Sequence, residues 1–227
     1  MKFMLDTANL KTIKYYNEIL PLAGVTSNPS IIKTEGKIDF FKHFKELRKI
    51  IGMDKSLHIQ VVATDCQGIL KDAEVILGNI DDKVYIKVPV TEEGLKAIKI
   101  LKSDGVAVTA TAIYSKIQGD LAIEAEADYI APYFNRMENM NINPRDTIKH
   151  FAGLINKYNS STLILAASFR NIGQVTDALE CGAHSVTIGS SLLNDALKLP
   201  AIQNAVDNFT RDWEGIFGKD TSIIDLI

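Results

Sequence analysis

The sequence VYIKVPV at residues 84–90 places a lysine inside a run that otherwise favours a buried strand. Valine and isoleucine alternate with Tyr85, Lys87 and Pro89, and β-branched residues at this density are typical of a strand covered on both faces. An ammonium group in such a strand is unfavourable unless it is paired or loses its proton. The run therefore predicts a buried strand in which Lys87 is either a paired structural cation or a functional amine.

The composition excludes several functional classes. Of the 227 residues, 46% are hydrophobic and 23% are charged, as in ordinary globular proteins. The net charge of -3 gives no basic field, so neither nucleic acid nor a membrane surface is an expected partner. Cys66 and Cys181 lie far apart and have no CxxC spacing, which argues against a zinc site or a disulfide scaffold and for a reducing compartment.

The apolar segments give no sign of export or of membrane insertion. The N-terminus reaches Asp6 too early for the apolar region of a signal peptide. No apolar run approaches the roughly 18 residues that a membrane-spanning helix needs. These features predict a cytoplasmic globular protein.

Strand-like runs recur at intervals of about 20 to 30 residues, usually with amphipathic helical stretches between them. The predicted strands are KFMLDT (2–7), GVTSN (24–28), LHIQVVA (57–63), VYIKVPV (84–90), VAVTATA (106–112), YIAPYF (129–134), TLILAAS (162–168) and SVTIG (185–189). The predicted helices include residues 40–51, 65–77, 91–105, 115–127, 143–158 and 171–182. Thr91 is a predicted N-cap, and Gly105 and Gly182 are predicted helix stops.

This alternation predicts the fold class. Strands that alternate with helices pair in parallel through right-handed crossovers. About eight such units predict an α/β protein, a single (β/α)8 TIM barrel domain over residues 1–227, with an extra C-terminal helix at about 201–217. The alternative is an open doubly wound sheet, but neither a GxGxxG loop nor a GxxxxGK[ST] loop is present.

The alternation of side chains along each strand predicts which residues line the barrel. One face of each strand meets the helices, and the other faces the lumen. In residues 84–90 the valines and isoleucine face the helices, so Lys87 points inward. The less hydrophobic face of successive strands carries a polar residue near its C-terminal end: Asp6, Asn28, Gln60, Lys87, Thr111, Tyr133 and Ser168. Because active sites of such barrels lie at this rim, the pattern predicts an active site around the lysine.

A lysine in such a lumen is suited to carbonyl chemistry. Desolvation lowers its pKa, and the neutral amine can form a Schiff base with a ketone. The protonated iminium stabilises a carbanion at the neighbouring carbon, so aldol chemistry needs no metal or other cofactor. Candidates for proton transfer are Tyr133, Asp6 and a water held by Gln60 and Thr111. The alternative is a structural Lys87 paired with Asp6.

Several segments in order resemble the transaldolase family over nearly the whole chain. They are LDTANL (5–10), GVTSNPSII (24–32), IKVPVTEEGLKAIK (86–99), APYFNR (131–136), LAASFR (165–170) and DWEGIFG (212–218). The resemblance implies a (β/α)8 barrel whose Schiff-base lysine lies on the fourth strand, the position of Lys87.

Two positions favour one branch of this family. Transaldolases usually have Glu in place of Gln60 and Phe in place of Tyr133, whereas the small fructose-6-phosphate aldolases have Gln and Tyr. The resemblance therefore implies reversible cleavage of fructose 6-phosphate to dihydroxyacetone and glyceraldehyde 3-phosphate. One alternative is a transaldolase of the pentose phosphate pathway, which moves a dihydroxyacetone unit between sedoheptulose 7-phosphate and glyceraldehyde 3-phosphate. Another is a barrel that binds a sugar phosphate without catalysis.

The resemblance also implies roles for residues that handle the donor fragment. Asp6 is expected to contact donor hydroxyls and to transfer protons, and Asn28 is expected to bind the donor through its amide. Gln60, Thr111 and Tyr133 resemble the group that positions the catalytic water.

The remaining expectations concern the phosphate and the core. Arg136 and Ser168 match the acceptor-phosphate site, and Arg170 is a second basic residue that either touches the phosphate or faces solvent. Thr26 is expected to shape the second strand rather than to react. His58 shares the face of Gln60 but lies deeper in its strand, which predicts a core histidine.

The C-terminal segment is amphipathic, with apolar residues at helical spacing at positions 202, 206, 209, 213 and 217. One interpretation is that the helix packs on its own barrel. The resemblance implies that it reaches a neighbouring subunit instead, in a homo-oligomer built from pentameric rings that can pair into decamers.

Overall fold

The β-branched runs form eight parallel strands that close on themselves in the computed structural model, which describes residues 1–227. The strands are β1 Lys2–Asp6, β2 Gly24–Thr26, β3 Ser56–Gln60, β4 Val84–Pro89, β5 Val108–Ile113, β6 Tyr129–Pro132, β7 Leu163–Ala166 and β8 Ser185–Ile188. Each strand pairs with its neighbours in chain order, and β1 pairs with β8 through Met4 and Thr187. The prediction of a (β/α)8 barrel is confirmed, and the open sheet is excluded.

Helices follow the strands along the chain. They are α1 Leu10–Ile19, α2 Pro29–Thr34, α3 Phe40–Ile51, α4 Cys66–Asn79, α5 Glu92–Ser103, α6 Lys116–Glu124, α7 Phe134–Asn139, α8 Pro144–Tyr158, α9 Ile172–Glu180, α10 Ser190–Leu197 and α11 Pro200–Phe217, and a short 3₁₀ helix follows at Ile223–Leu226. The Thr91 hydroxyl caps α5 by accepting from the Gly94 amide over 3.0 Å. Gly105 and Gly182 have φ of 74° and 100°, so the predicted helix stops are confirmed.

The predicted helices did not include α1, α2, α7 and α10. Half of the ten residues of α1 are tyrosine, isoleucine or threonine, which have only moderate helix propensity. Its start is fixed by the side chain of Asn9, which accepts from the Thr12 amide over 3.0 Å. The segments of α2 and α7 have only six residues each, too few to show a helical period.

Burial along β4 follows the predicted alternation. Val84, Ile86 and Val88 are fully buried on one face, and Lys87 on the other face is only 4% exposed. Both faces of the strand are therefore covered, as a closed barrel requires.

A bulge in β5 changes which residues face the lumen near its end. Ala110 pairs with Ile130 and Ile113 pairs with Pro132. Between these two pairs β5 advances by three residues and β6 by only two. The extra residue is accommodated at Ala112, whose φ of 58° is unusual for a residue other than glycine. Side-chain parity reverses at this point, so that Ile113 takes the same face as Ala110 and is fully buried.

The start of α5 lies unusually close to the end of β4. A Cβ atom at Gly94 would lie 2.0 Å from the carbonyl oxygen of Pro89. Because that oxygen belongs to the backbone, a larger residue would force the helix away from the strand. Glycine therefore allows α5 to pack directly against the segment that follows the lysine.

The chain divides into two compact units, Met1–Ser190 and Ser191–Ile227. The first contains the complete barrel. In the second, no residue of α11 is buried, and the indole nitrogen of Trp213 donates to the Thr221 carbonyl over 2.8 Å. A single domain over residues 1–227 stays a prediction. None of the helices combines the length and the apolar character needed to cross a membrane.

Candidate active site

Lys87 is a buried amine without a carboxylate partner. Its side chain is 4% exposed, and Nζ donates a hydrogen bond of 3.0 Å to the backbone carbonyl of Ser27. Lys87 and Asp6 form no ion pair within 4.0 Å, and the salt bridges of the protein lie elsewhere. This geometry argues against the alternative of a structural lysine held by Asp6.

Burial shifts the protonation equilibrium of this amine. It lowers the pKa of Lys87 below its usual range, and the more distant negative charge of Asp6 opposes part of that effect. The direction is the one that the sequence predicts. A larger fraction of neutral, nucleophilic amine is therefore present near neutral pH than for a lysine in water.

Asp6 lies half-buried at the C-terminal end of β1. Burial raises its pKa, and three neighbours lower it: the Lys87 ammonium, the Thr26 hydroxyl and the Arg136 guanidinium. Thr26 Oγ1 donates to Asp6 Oδ1 over 2.6 Å. A carboxylate under these opposing influences is suited to gain and lose a proton during a reaction.

Tyr133 and Thr111 form a second polar pair. The Tyr133 hydroxyl lies 3.0 Å from Thr111 Oγ1, and both residues are buried. The predicted strand continued to residue 134, but β6 ends at Pro132. Tyr133 forms only a single bridge with Ala167, because α7 begins at the next residue. The tyrosine is thereby held between a strand and a helix.

Gln60 has a side-chain oxygen without a hydrogen-bond partner. It ends β3 and pairs with Lys87 in the register between β3 and β4. Its Oε1 is buried and has no hydrogen-bond partner. Because buried polar atoms in folded proteins are nearly always paired, this oxygen indicates a position for a water or a ligand hydroxyl.

Asn28 caps α2 and keeps a free donor. Its side-chain oxygen accepts from the Ile31 amide over 3.1 Å. Its Nδ2 group donates to no protein atom, so it is available to a ligand oxygen. The predicted amide donor is therefore compatible with the geometry.

Arg136 lies on α7 close to two tyrosine rings. Its guanidinium carbon is 4.7 Å from the centroid of the Tyr133 ring, and Nη1 donates to the Tyr114 hydroxyl over 3.2 Å. The two rings meet edge to face, with centroids 5.5 Å apart. Arg136 is exposed, so its charge is accessible to a ligand.

Ser168 and Arg170 follow β7. Ser168 is half-buried and has a φ of 65°, and its carbonyl accepts from the Asn135 amide over 2.9 Å, which ties this loop to α7. Arg170 is exposed, and its backbone amide donates to Gln174 Oε1 over 2.7 Å. The structure thus joins α7, which carries Arg136, to the loop that carries Ser168.

His58 is the core histidine that the sequence predicts. It is fully buried, stacks on Tyr85, and lies 2.8 Å from Thr109 Oγ1 and 2.9 Å from Ser56 Oγ. Burial and the charges of Lys87 and Arg48 hold its pKa well below the usual range. The ring is therefore neutral at physiological pH.

Three residues in contact with the site were not among the predicted ones. Ser27 contributes only its carbonyl, which has no sequence signature. Tyr114 follows the bulge in β5, where simple alternation fails. Thr187 stands between Val186 and Ile188 on β8, so the alternation rule could have found it.

A mainly apolar cavity of about 530 Å³ opens beside α2, α3 and α4. Its walls include Phe40, Phe41, Val61 and Ile76, and of the predicted site residues only Gln60 reaches it. Because the other predicted residues do not line this cavity, we define the candidate site by the hydrogen-bonded side chains around Lys87 and Asp6. No group of three or more His, Cys, Asp and Glu side chains is placed to hold a metal ion.

The sequence matches known proteins over nearly its whole length. A family model described as "Transaldolase/Fructose-6-phosphate aldolase" matches residues 3–221. The chain is also 56% identical over 213 residues to a protein of Streptococcus pneumoniae (strain ATCC 700669 / Spain 23F-1) named "Probable fructose-6-phosphate aldolase". That similarity covers 94% of this chain and 96% of the relative. With the barrel and the buried lysine, these matches establish that the chain belongs to the transaldolase/fructose-6-phosphate aldolase family.

Proposed function

We propose that this protein is a Schiff-base aldolase that reversibly cleaves fructose 6-phosphate to dihydroxyacetone and glyceraldehyde 3-phosphate. The observation that carries the proposal is the buried amine of Lys87, which has a carbonyl partner but no carboxylate partner. The name of the pneumococcal relative supports the same activity.

The reaction follows from the chemistry of the amine. Lys87 Nζ attacks the ketone carbon C2 of fructose 6-phosphate, and loss of water gives a protonated imine. A base removes the proton of the C4 hydroxyl, the C3–C4 bond breaks, and its electron pair moves into the imine to give an enamine. Glyceraldehyde 3-phosphate leaves. Protonation of the enamine at C3 and hydrolysis of the imine then release dihydroxyacetone and restore the amine.

The proton transfers and the donor contacts are assigned to residues at the ends of β1 and β2. Asp6 is proposed to bind donor hydroxyls and to exchange protons. Burial raises its pKa while Lys87, Thr26 and Arg136 lower it, so neither charge state is strongly excluded. Asn28 is proposed to donate to a donor oxygen through Nδ2. Thr26 holds Asp6 through its hydroxyl and has no reacting role of its own.

We assign the catalytic water to the side chains of Gln60, Thr111 and Tyr133. The unpaired Oε1 of Gln60 supplies an acceptor, and the bonded hydroxyls of Thr111 and Tyr133 supply donors and acceptors. An amide at position 60 holds a water without acting as a strong base. The Tyr133 hydroxyl is proposed to help protonate the enamine, so that the donor leaves as free dihydroxyacetone.

The phosphate is assigned to Arg136 and Ser168, with Arg170 as a second basic residue. A guanidinium suits a phosphate dianion because its N–H groups can form two parallel charge-assisted hydrogen bonds. The exposure of Arg136 and the link between its helix and the Ser168 loop support this assignment.

Replacing Arg136 with alanine is expected to raise the KM for glyceraldehyde 3-phosphate by about ten- to a hundredfold, since charge-assisted hydrogen bonds contribute about 1.5–3 kcal/mol. The effect on kcat should be smaller, because the charge is remote from the bond that breaks. Steady-state kinetics in the synthesis direction measures both. Lys49→Ala, which removes an exposed cation on α3, is the control. An unchanged KM in Arg136→Ala would remove this residue from the phosphate site.

The second candidate function is that of a transaldolase, because the family description covers both activities. The two differ in whether an acceptor is needed. We expect the protein to release free dihydroxyacetone from fructose 6-phosphate when no acceptor aldehyde is added, which an enzymatic assay for dihydroxyacetone detects. Release that depends strictly on added acceptor would instead assign transaldolase activity.

We further propose that the protein is a homo-oligomer, a pentamer or a decamer. The apolar side chains of α11 support this, since Ile202, Val206 and Phe209 are exposed to solvent in the single chain. Light scattering on the purified full chain is expected to give five or ten times the 25.0 kDa chain mass. A monomeric mass would reject the proposal. The cytoplasmic location stays a prediction.

A further inference from the structure

Two buried hydroxyl groups connect β8 to the carboxylate of Asp6. Thr187 Oγ1 lies 2.6 Å from Thr26 Oγ1, and Thr26 Oγ1 lies 2.6 Å from Asp6 Oδ1. Thr187 belongs to β8 and Thr26 to β2, and both strands pair with β1. The curvature of the barrel lets the two side chains meet over β1 inside the lumen. Thr26 is 0% exposed and Thr187 is 3% exposed.

The direction of the hydrogen bonds follows from the number of protons. A hydroxyl group has one proton to donate and two lone pairs that accept. While Asp6 is ionised it can only accept, so Thr26 donates to Asp6 and Thr187 must donate to Thr26. When Asp6 carries a proton on Oδ1, the same short distances allow the reverse order, in which Asp6 donates to Thr26 and Thr26 donates to Thr187.

We propose that Thr187 is a positioning residue for proton transfer by Asp6, acting through the hydroxyl of Thr26. The inference rests on the proposed function, in which Asp6 gains and loses a proton. Because the pair of hydroxyls can reverse, Thr26 keeps a hydrogen-bond partner in both charge states of the carboxyl. A buried hydroxyl without a partner in one state would disfavour that state.

The hydroxyl pair acts differently from the charges around Asp6. Lys87 from β4 and Arg136 from α7 are the charged groups that influence the carboxyl, and both favour its ionised form. Thr26 and Thr187 on β2 and β8 are uncharged. Burial favours the protonated carboxyl, but of these four neighbours only the hydroxyls can donate to the carboxylate and also accept from the protonated carboxyl.

Replacing Thr187 with valine keeps the shape of the side chain and removes its hydroxyl. The protonated carboxyl then loses the acceptor at the end of the chain, while the carboxylate keeps its bond from Thr26. We expect kcat for fructose 6-phosphate cleavage to fall about tenfold. The acidic limb of the kcat profile should move to lower pH, because protonation of Asp6 becomes less favourable. Thr187→Ser should restore both values, and Thr187→Ala should behave like Thr187→Val.

A buried threonine outside the site provides the matched control. Thr162 is 1% exposed, and its hydroxyl donates to the Ala127 carbonyl over 2.8 Å. Thr162→Val therefore removes a buried hydrogen bond without touching the lumen network. It is expected to lower Tm as Thr187→Val does, but to leave kcat and the acidic limb unchanged. Equal effects of the two variants on the pH profile would overturn the role of Thr187.

A double-mutant cycle tests whether Thr187 acts through Thr26. In a Thr26→Val background, adding Thr187→Val should change kcat by less than about twofold, because the chain is already broken. If the two effects multiply, the inference is wrong. If the wild-type enzyme neither traps dihydroxyacetone on Lys87 nor cleaves fructose 6-phosphate, the proposed function fails as well. A multiplicative cycle in an active enzyme overturns only the role of Thr187.

Discussion

Replacing Lys87 with methionine is expected to reduce fructose 6-phosphate cleavage by about 10³-fold or more. The variant keeps a long unbranched side chain in the lumen but has no amine to form the imine, so the electron acceptor for C3–C4 cleavage is lost. Treatment with borohydride in the presence of dihydroxyacetone should attach the reduced donor to Lys87 in the wild type, as mass spectrometry of peptides would show. The same peptide from the variant should stay unmodified.

A neighbouring lysine gives the control for this experiment. Lys83 is exposed and lies just before β4, so Lys83→Met should retain both activity and adduct. A circular dichroism spectrum that matches the wild type would show that Lys87→Met is folded. An adduct that persists in folded Lys87→Met would place the reactive amine at another lysine and reject the proposed mechanism.

The same amine predicts a pH dependence. Only neutral Lys87 attacks the ketone, so kcat/KM should rise with pH until the amine is deprotonated and then level off. Burial lowers the pKa of Lys87, so this rise should be complete at a lower pH than the ordinary lysine value of about 10.4 would allow. A rise centred on the ordinary value would contradict the environment described for this residue.

Replacing Tyr133 with phenylalanine is expected to reduce release of free dihydroxyacetone by about 10²- to 10³-fold. The ring and its contact with Arg136 are kept, but the hydroxyl that lies 3.0 Å from Thr111 is lost. A positioned acid or base contributes about 10²–10⁴-fold to a proton transfer, and the enamine would lose its proton donor. The enamine should then persist until an aldehyde captures it.

The two reactions of the enamine distinguish this role from a general loss of structure. With fructose 6-phosphate alone, Tyr133→Phe should turn over slowly, whereas transfer of the donor to an added aldehyde should fall by less than about tenfold. Tyr114→Phe is the control, since its ring packs against Tyr133 and its hydroxyl accepts a hydrogen bond from Arg136. Equal losses of release and transfer in Tyr133→Phe would remove the proton-donor role and leave a structural one.

The alternation rule predicted much of this site because it depends only on neighbouring residues. A strand reverses its side-chain direction at every residue, so the hydrophobic face of β4 determines that Lys87 lies on the other face. The same rule placed His58 and Gln60 on one face of their strand, but the predicted strand ran to residue 63, whereas β3 ends at Gln60. It failed after Thr111, because the bulge at Ala112 adds a residue and reverses the parity.

The alternation rule could not predict contacts between residues of different strands. The carbonyl of Ser27 as the partner of Lys87, the 2.6 Å contact of Thr187 with Thr26 and the unpaired oxygen of Gln60 depend on how the barrel closes. These residues lie far apart along the chain, and their separation in space is set by the stagger and tilt of eight strands. A shift of register by one residue would change every one of these contacts.

The amino-acid sequence by itself determined the alternation of strands and helices, the inward direction of Lys87 and the polar rim, because hydrophobic period and local propensity are properties of short segments. The tertiary structure alone decided which polar groups meet. In the folded chain, the Lys87 amine donates a hydrogen bond to a backbone carbonyl and not to Asp6. The hydroxyls of Thr187 on β8 and Thr26 on β2 are hydrogen-bonded to each other, and Thr26 donates to Asp6. Those distances are fixed only when the eighth strand pairs with the first and closes the barrel.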